Sequence, residues 1–191
     1  MQRRIALAIS LISHPLIVGF CGLLVAIHNE GLSFFSAIIA IIALVFPTIM
    51  IPIVCQIVMS KMGIISDLFV TQRKERRIYL FVVASVLTPI LIIEMNALSF
   101  TQNLSLIVYM MLAGLFAFTI LNLYIKASLH VAVFAAVVIG LVVVYGRQYA
   151  IALPLVGVIS WARMQLEHHS LAELALGFAA SMLIVLAISF A

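Results

Sequence analysis

Five ionisable side chains crowd one short stretch near the C-terminus, RMQLEHHSLAE, and these are Arg163, Glu167, His168, His169 and Glu173. His169 and Glu173 are four positions apart, so on a helix they share a face and the carboxylate can hold one ring nitrogen. The other ring nitrogen is then free to act as a nucleophile. His168 is five positions from Glu173, which turns the two side chains away from each other. The spacing therefore selects His169 as the candidate nucleophile.

A second polar cluster lies earlier in the chain, in KASLH at 126–130. An imidazole such as that of His130 can protonate a departing alkoxide. The Ser128 hydroxyl can donate a hydrogen bond to a phosphate oxygen, and Lys126 supplies a compact positive charge. These residue types are those expected around a phosphate ester.

A third cluster, QRKERR at 72–77, is strongly basic and contributes the candidate phosphate-binding residues Arg73, Lys74, Arg76 and Arg77. An arginine offers a planar fork of donors that matches phosphate oxygens, and a lysine offers a point charge. Ionisable residues at the edge of a membrane bundle are costly and usually functional. Together with Arg163, this cluster predicts a site for an anionic phosphate group.

The composition places these clusters in a membrane protein. Of the 191 residues, 66% are hydrophobic and 8% are charged, whereas a soluble domain has roughly 25% charged residues. Because about 20 apolar residues are needed to span the hydrocarbon as a helix, we expect a single all-α integral-membrane domain over 1–191. We predict a polytopic bundle of six or seven transmembrane helices, with the N-terminal segment retained as the first helix rather than removed as a signal peptide.

The apolar runs that define these spans fall at roughly 5–28, 32–59, 77–98, 104–124, 127–146, 148–163 and 170–190. Each span moves the chain to the opposite face of the membrane. With seven spans, the loops at 60–77, around 126 and at 163–170 all lie on the N-terminal face. Parity therefore brings the three polar clusters to one side of the bundle.

The three clusters, in this order, resemble the motifs of the type 2 phosphatidic acid phosphatase superfamily, which are K-x6-R-P, P-S-G-H and S-R-x5-H-x3-D. Arg163-x5-His169-x3-Glu173 keeps the spacing of the third motif, with Glu in place of Asp. The sequence KASLH keeps the serine and histidine of the second and is similar to a shorter bacterial form, K-x-S-x-H. The first motif departs most, because no lysine lies seven positions before an arginine and no proline follows. The resemblance covers about 70–177.

The resemblance implies a role for each matching residue. His169 attacks phosphorus and forms a phosphohistidine, while Glu173 orients it. His130 protonates the departing lipid alkoxide. The phosphate is held by basic and hydroxyl groups, namely Arg163, Ser128, Lys126 and one or two of Arg73, Lys74, Arg76 and Arg77. No metal and no other cofactor is expected, and the implied function is hydrolysis of a lipid phosphomonoester such as phosphatidic acid or a phosphatidylglycerol-phosphate-like lipid.

Orientation and substrate stay open at this stage. The excess of Lys and Arg on the N-terminal face predicts that this face is cytoplasmic, in a bacterial inner membrane. An outward-facing site would suit undecaprenyl diphosphate or lipid A instead. Two further alternatives are an enzyme that transfers the phosphoryl group to another acceptor and a non-enzymatic anion or lipid transporter. The expected partners are a lipid phosphate and the bilayer, not nucleic acid, and the oligomeric state is open.

Each cluster alone also has a simpler explanation. The RKERR run suits a cytoplasmic charge flank, and Lys126 suits a side chain that extends to the interface at a helix end. His14, beside Pro15, suits a helix kink or a helix contact, with a place in the pocket as the alternative. Adjacent His168 and His169 point apart, which disfavours a zinc site. The coincidence of all three clusters favours the phosphatase interpretation.

Overall fold

A computed structural model describes residues 1–67, 70 and 72–190. The predicted loop at 60–77 and the predicted domain at 1–191 therefore each include positions outside the described residues. The described residues form helices and no strands. The elements are α1 (Gln2–Ile12), α2 (Pro15–Asn29), α3 (Phe34–Ala40), a π-helical segment (Ile41–Val45), α4 (Phe46–Lys61), α5 (Arg73–Leu98), α6 (Gln102–Tyr124), α7 (Leu129–Tyr145), a 3₁₀ segment (Arg147–Ala152), α8 (Leu155–Gln165) and α9 (Leu171–Ser189).

Four helical stretches among the described residues are long and apolar enough to cross a membrane, namely α3 to α4 taken together, α5, α6 and α9. The pair of α1 and α2 adds a fifth if the two, bent by 48°, count as one span. These helices indicate an integral membrane protein, as the composition predicted. The predicted count of six or seven is not reached by length and composition, because α7 has 17 residues and α8 has 11.

The bend in the first span has a local cause. Pro15 is the first residue of α2, where its missing N–H is not needed and its fixed φ suits a helix start. His14 is the N-cap of α2, and its Nδ1 accepts a hydrogen bond from the Leu16 N–H at 3.3 Å. The chain therefore stops one helix and begins another inside a single apolar stretch. As a result, His14 lies at the junction between α1 and α2.

Helix α7 is the centre of the bundle and packs against α2, α6, α8 and α9. Its closest neighbour is α9: a Cβ added at Gly177 would lie 2.9 Å from the Ser128 carbonyl oxygen. The Ser181 hydroxyl donates across the same interface to the Ala132 carbonyl oxygen, at 2.8 Å. Small residues let membrane helices approach closely enough for such contacts. This interface fixes the start of α7 against the first turns of α9.

Candidate functional site

The predicted nucleophile lies in the loop between α8 and α9, and its partner Glu173 lies in the first turn of α9. His169 Nδ1 lies 2.9 Å from Glu173 Oε2, the contact that the four-residue spacing predicted. The same Oε2 accepts from the Ser170 N–H at 3.2 Å, while Ser170 Oγ accepts from the Glu173 N–H at 3.4 Å. Ser170 and Glu173 thus form a capping box at the start of α9. Glu173 therefore holds both the helix end and one nitrogen of His169.

The second cluster lies directly beside this loop. The Ser128 N–H donates to the Glu173 carbonyl oxygen at 3.3 Å, so the segment before α7 is joined to the first turn of α9. Ser128 is fully buried, and its hydroxyl oxygen has no hydrogen-bond partner among the described residues. Two residues later, His130 lies in the first turn of α7 and lines the cavity described below. The clusters around residues 128 and 169 are thus one structural unit.

Arg163 reaches the site from the end of α8. Its Nη1 donates to Ser10 Oγ of α1 at 2.6 Å, and its Nε is buried without a hydrogen-bond partner among the described residues. Arg76 reaches the site from α5, and both its Nε and its Nη2 are buried and unpartnered in the same sense. Buried polar groups are nearly always hydrogen-bonded. Unsatisfied guanidinium donors facing a cavity are therefore suited to an anion.

The four basic residues of the third cluster have different positions in the structure. Arg73 and Arg77 each donate to the backbone carbonyl oxygens of Asn122 and Leu123, at distances from 2.6 to 3.3 Å. These carbonyls belong to the last turn of α6, where cations are favourable. Lys74 is exposed. Of the four, Arg76 is the one that lines the cavity within the described part of the chain.

A cavity of about 660 Å³ joins the clusters. Its polar end, which we call the basic mouth, is lined by His14, Arg76, Lys126, His130, Arg163 and His169. Lys126 is otherwise exposed and stands at the rim. The convergence of three distant segments that parity predicted is present in the structure. The volume is within the range of roughly 300–1,000 Å³ that is typical of small-molecule sites.

The electrostatics of the mouth keep the candidate nucleophile uncharged. Burial lowers the pKa of His169 to about 4, and the nearby Arg163 cation acts in the same direction. The hydrogen bond to Glu173 opposes this shift without cancelling it. At neutral pH the ring is therefore neutral. In that state Nδ1–H donates to Glu173, and Nε2 keeps the lone pair that an attack on phosphorus requires.

Two residues of the mouth were not assigned by the sequence. Ser10 orients Arg163, and the His14 ring meets the His130 ring edge-on, with centroids 5.8 Å apart and planes at 83°. The signal for His14 was its place before Pro15, which indicated a kink and left a place in the pocket as an alternative. Ser10 had no signal, because its role depends on the bend that turns the end of α1 towards α8.

Within residues 1–67, 70 and 72–190, no group of three or more His, Cys, Asp or Glu side chains is placed so that it could hold a metal ion. The side chains of the mouth offer a neutral imidazole held by a carboxylate, a second imidazole and unsatisfied guanidinium donors, whereas the buried Ser128 hydroxyl is not part of the cavity lining. No known protein family, characterised protein or solved structure matches the chain at a significant level.

Proposed function

We propose that the protein is an integral-membrane lipid phosphatase that hydrolyses a phosphomonoester through a phosphohistidine. One observation carries the proposal: Arg76 and Arg163 both line the cavity that holds the imidazole oriented by Glu173, and each keeps buried guanidinium nitrogens without a partner among the described residues. A phosphate group has enough acceptor oxygens to satisfy all of these donors. The same donors would stabilise the charge that develops on phosphorus-bound oxygens in the transition state.

The proposed reaction has two steps. His169 Nε2 attacks phosphorus in line with the lipid oxygen, so that an N–P bond forms while the P–O bond breaks. The negative charge of the bound phosphate favours protonation of His130, which gives this proton to the departing alkoxide, so that the lipid leaves as the alcohol. Water then attacks the phosphohistidine and gives up a proton to His130, the N–P bond breaks, and inorganic phosphate and a free His169 result. Glu173 stabilises the charge on His169 throughout.

The proposal includes a topology. We infer seven crossings if the pair of α1 and α2 forms the first, α7 forms the fifth, and the 3₁₀ segment with α8 forms the sixth. Every loop of the basic mouth then lies on the N-terminal face. The excess of Lys and Arg on that face supports a cytoplasmic mouth, in a bacterial inner membrane. An inward-facing site suits a biosynthetic intermediate such as phosphatidic acid or a phosphatidylglycerol-phosphate-like lipid.

The test is release of inorganic phosphate by purified protein in detergent from a panel of lipid phosphates. The panel includes phosphatidic acid, phosphatidylglycerol phosphate and undecaprenyl diphosphate. His169→Ala should reduce release by at least about 1,000-fold, because it removes the nucleophile. His28→Ala is the matched control, because His28 is exposed at the opposite end of α2. Undiminished release by His169→Ala would remove this residue from its proposed role.

A second measurement separates hydrolysis from the alternatives. Acid quenching destroys a phosphohistidine, whereas alkaline quenching preserves it, so labelled phosphate retained on the protein at alkaline pH identifies the intermediate. Labelled phosphate that appears on a second lipid instead of in water would identify a phosphotransferase. Binding of lipid phosphate without any release would support a transporter and contradict the enzyme.

A further inference from the structure

The cavity continues from the basic mouth into the apolar centre of the bundle. Along α7 its wall runs from His130 to Gly140, which is about 15 Å at 1.5 Å per residue. Along α6 it runs from Phe118 to Ile107, a similar length. We call this inner part the hydrocarbon chamber, and its wall includes Gly19, Ile107, Met111, Gly114, Val133 and Gly140. One end of the chamber therefore opens on the cations and the candidate nucleophile.

The polar side chains on the chamber wall are largely engaged elsewhere. The Thr48 hydroxyl donates to the Leu44 carbonyl oxygen at 2.6 Å, and the Tyr79 hydroxyl donates to the Pro52 carbonyl oxygen at 3.2 Å. The Ser181 hydroxyl is bonded within the α7–α9 interface. These three groups present no free donor to the interior, and Gln56 is a further polar side chain on the wall, without a hydrogen-bond partner among the described residues, in a lining that is otherwise mainly apolar. The chamber is therefore suited to an apolar occupant rather than to a polar headgroup.

Two glycines create space in the chamber instead of helix contact. A Cβ added at Gly19 or Gly114 would meet no heavy atom within 4 Å. Gly22 on the same wall differs, because a Cβ there would lie 2.6 Å from Val137 Cγ1. Gly22 is therefore required for packing, whereas the missing side chains of Gly19 and Gly114 leave open volume. A glycine in a helix interior costs stability, so two that only leave space are consistent with a site that must stay empty for a ligand.

We propose that the hydrocarbon chamber binds one hydrocarbon chain of the substrate lipid, with the phosphate in the basic mouth and with Gly114 limiting the chain length that fits. This inference rests on the proposed function and names how that site selects its substrate. The hydrocarbon core of a bilayer is about 30 Å thick, so one leaflet's chain needs about 15 Å, which the chamber provides. The hydrocarbon chain of the lipid leaves the bilayer and enters the bundle. The chamber, rather than the surrounding lipid, therefore determines which chain lengths are accepted.

The experiment uses single-chain alkyl phosphates with chains of eight, twelve and sixteen carbons, at a fixed ratio to detergent. Each buried methylene should raise kcat/KM about fourfold while the chamber still has room. Gly114→Leu shortens the chamber, so its kcat/KM should fall at least tenfold for the sixteen-carbon substrate and change little for the eight-carbon one. Comparing each variant with the wild type at the same chain length cancels differences in micelle partitioning.

Gly157→Leu is the matched control, because Gly157 is exposed on α8 and an added Cβ there also meets no atom. An unchanged chain-length profile in Gly114→Leu would overturn the inference. Gly114→Ala adds one methyl group in open space and should shift the profile by a smaller amount. If Gly114→Leu fails to fold, the Gly114→Ala variant still tests whether the chamber limits the chain length.

Binding of the same alkyl phosphates, measured by native mass spectrometry, separates this inference from the proposed function. If the wild type releases no phosphate but binds longer chains more tightly, and Gly114→Leu loses that preference, the chamber stands and the phosphatase proposal fails. If the wild type releases phosphate with no dependence on chain length, the phosphatase proposal stands and the chamber fails. Absence of both release and length-dependent binding would overturn both.

Discussion

The two ends of the bundle differ in how their side-chain hydrogen-bond donors are paired. At the end away from the mouth, which we call the far end, the Tyr145 hydroxyl donates to Glu30 Oε1 at 2.6 Å and the Tyr149 hydroxyl donates to Asn29 Oδ1 at 2.8 Å. These two hydrogen bonds join the C-terminal end of α2 to the end of α7 and to the 3₁₀ segment that follows it. In the mouth, by contrast, Arg76 keeps two donor nitrogens buried without a partner within the described residues.

The difference indicates different selective pressures on the two ends. A buried donor without a partner costs about 1–3 kcal/mol, and more if it is charged, so a region built for stability would have paired it. At the far end the two tyrosine hydroxyl donors are paired, whereas Glu94 Oε2, about one turn before the end of α5, is an acceptor that stays buried without a partner among the described residues. The mouth keeps several donors unpaired in one place, which is consistent with a ligand that completes them. The variants below test that contrast, beginning with the largest expected effect.

Removing the Arg163 cation, whose Nε is buried without a partner among the described residues, should impair the mouth without affecting the far end. We expect Arg163→Gln to lower kcat/KM for a lipid phosphate about 1,000-fold, because a charged donor to the transition state is lost. Phosphate release by purified protein measures this. Arg147→Gln is the matched control at the far end, where the side chain is exposed. Equal loss in the two variants would show that general charge, rather than the mouth, attracts the substrate.

Changing Glu173 tests whether it orients the nucleophile or only caps α9. Glu173→Gln should lower kcat about 100-fold, because an amide can donate to Nδ1 and hold the wrong tautomer of His169. Ser170→Ala removes a capping hydrogen bond and should cost about 1 kcal/mol of stability, with little loss of kcat. Phosphate release and thermal unfolding of both variants give the comparison. Similar kcat losses in the two would assign Glu173 to capping alone.

The acid side of the pH profile should report the burial of His169. Its pKa is lowered to about 4, and the attacking ring must be neutral, so activity is retained above that pH and lost as the pH falls through it. At pH 5 about 90% of the rings are then neutral, against about 3% for an ordinary histidine with pKa near 6.5. An ordinary histidine is about 76% neutral at pH 7, so the ratio of kcat/KM at pH 5 to that at pH 7 should be about 0.9 for the buried His169 and about 0.04 for an ordinary ring. A fall centred near pH 6.5 would contradict the burial of His169.

The smallest effect on activity is expected at the far end. Tyr145→Phe removes the hydrogen bond to Glu30 and should lower the free energy of unfolding by about 1–2 kcal/mol, while phosphate release stays within about twofold of the wild type. Thermal unfolding in detergent measures the first and the lipid phosphate assay the second. A large loss of activity without loss of stability would mean that the far end takes part in the function.

Local spacing predicted the parts of the site that depend on one helix turn. The contact between His169 and Glu173 followed from four residues of separation, and the order of apolar runs predicted that the three clusters meet. The identity of the arginine in the mouth could not be predicted, because it depends on how α5 is rotated about its axis. Rotation directs Arg76 to the cavity and Arg73 and Arg77 to the end of α6.

The breaks within the apolar runs were also not predicted by the hydropathy pattern. Hydropathy predicted seven apolar runs, but it does not register that the first is divided at His14 or that the sixth is partly a 3₁₀ segment. The division at His14 follows from Pro15 and the His14 cap, which are local features that hydropathy does not weigh. The division at His14 is also the reason why α1 reaches Arg163 through Ser10. The sequence therefore indicated the residues that line the mouth more fully than the scaffold that supports them.

The double engagement of one carboxylate oxygen of Glu173 has a thermal consequence. Because the bond that starts α9 and the bond that steadies His169 share this atom, fraying of a single helical turn would release the imidazole to rotate. Such local opening needs far less free energy than unfolding of the whole bundle. Catalytic competence would then decline on heating well before the helices separate, and cooling would restore it.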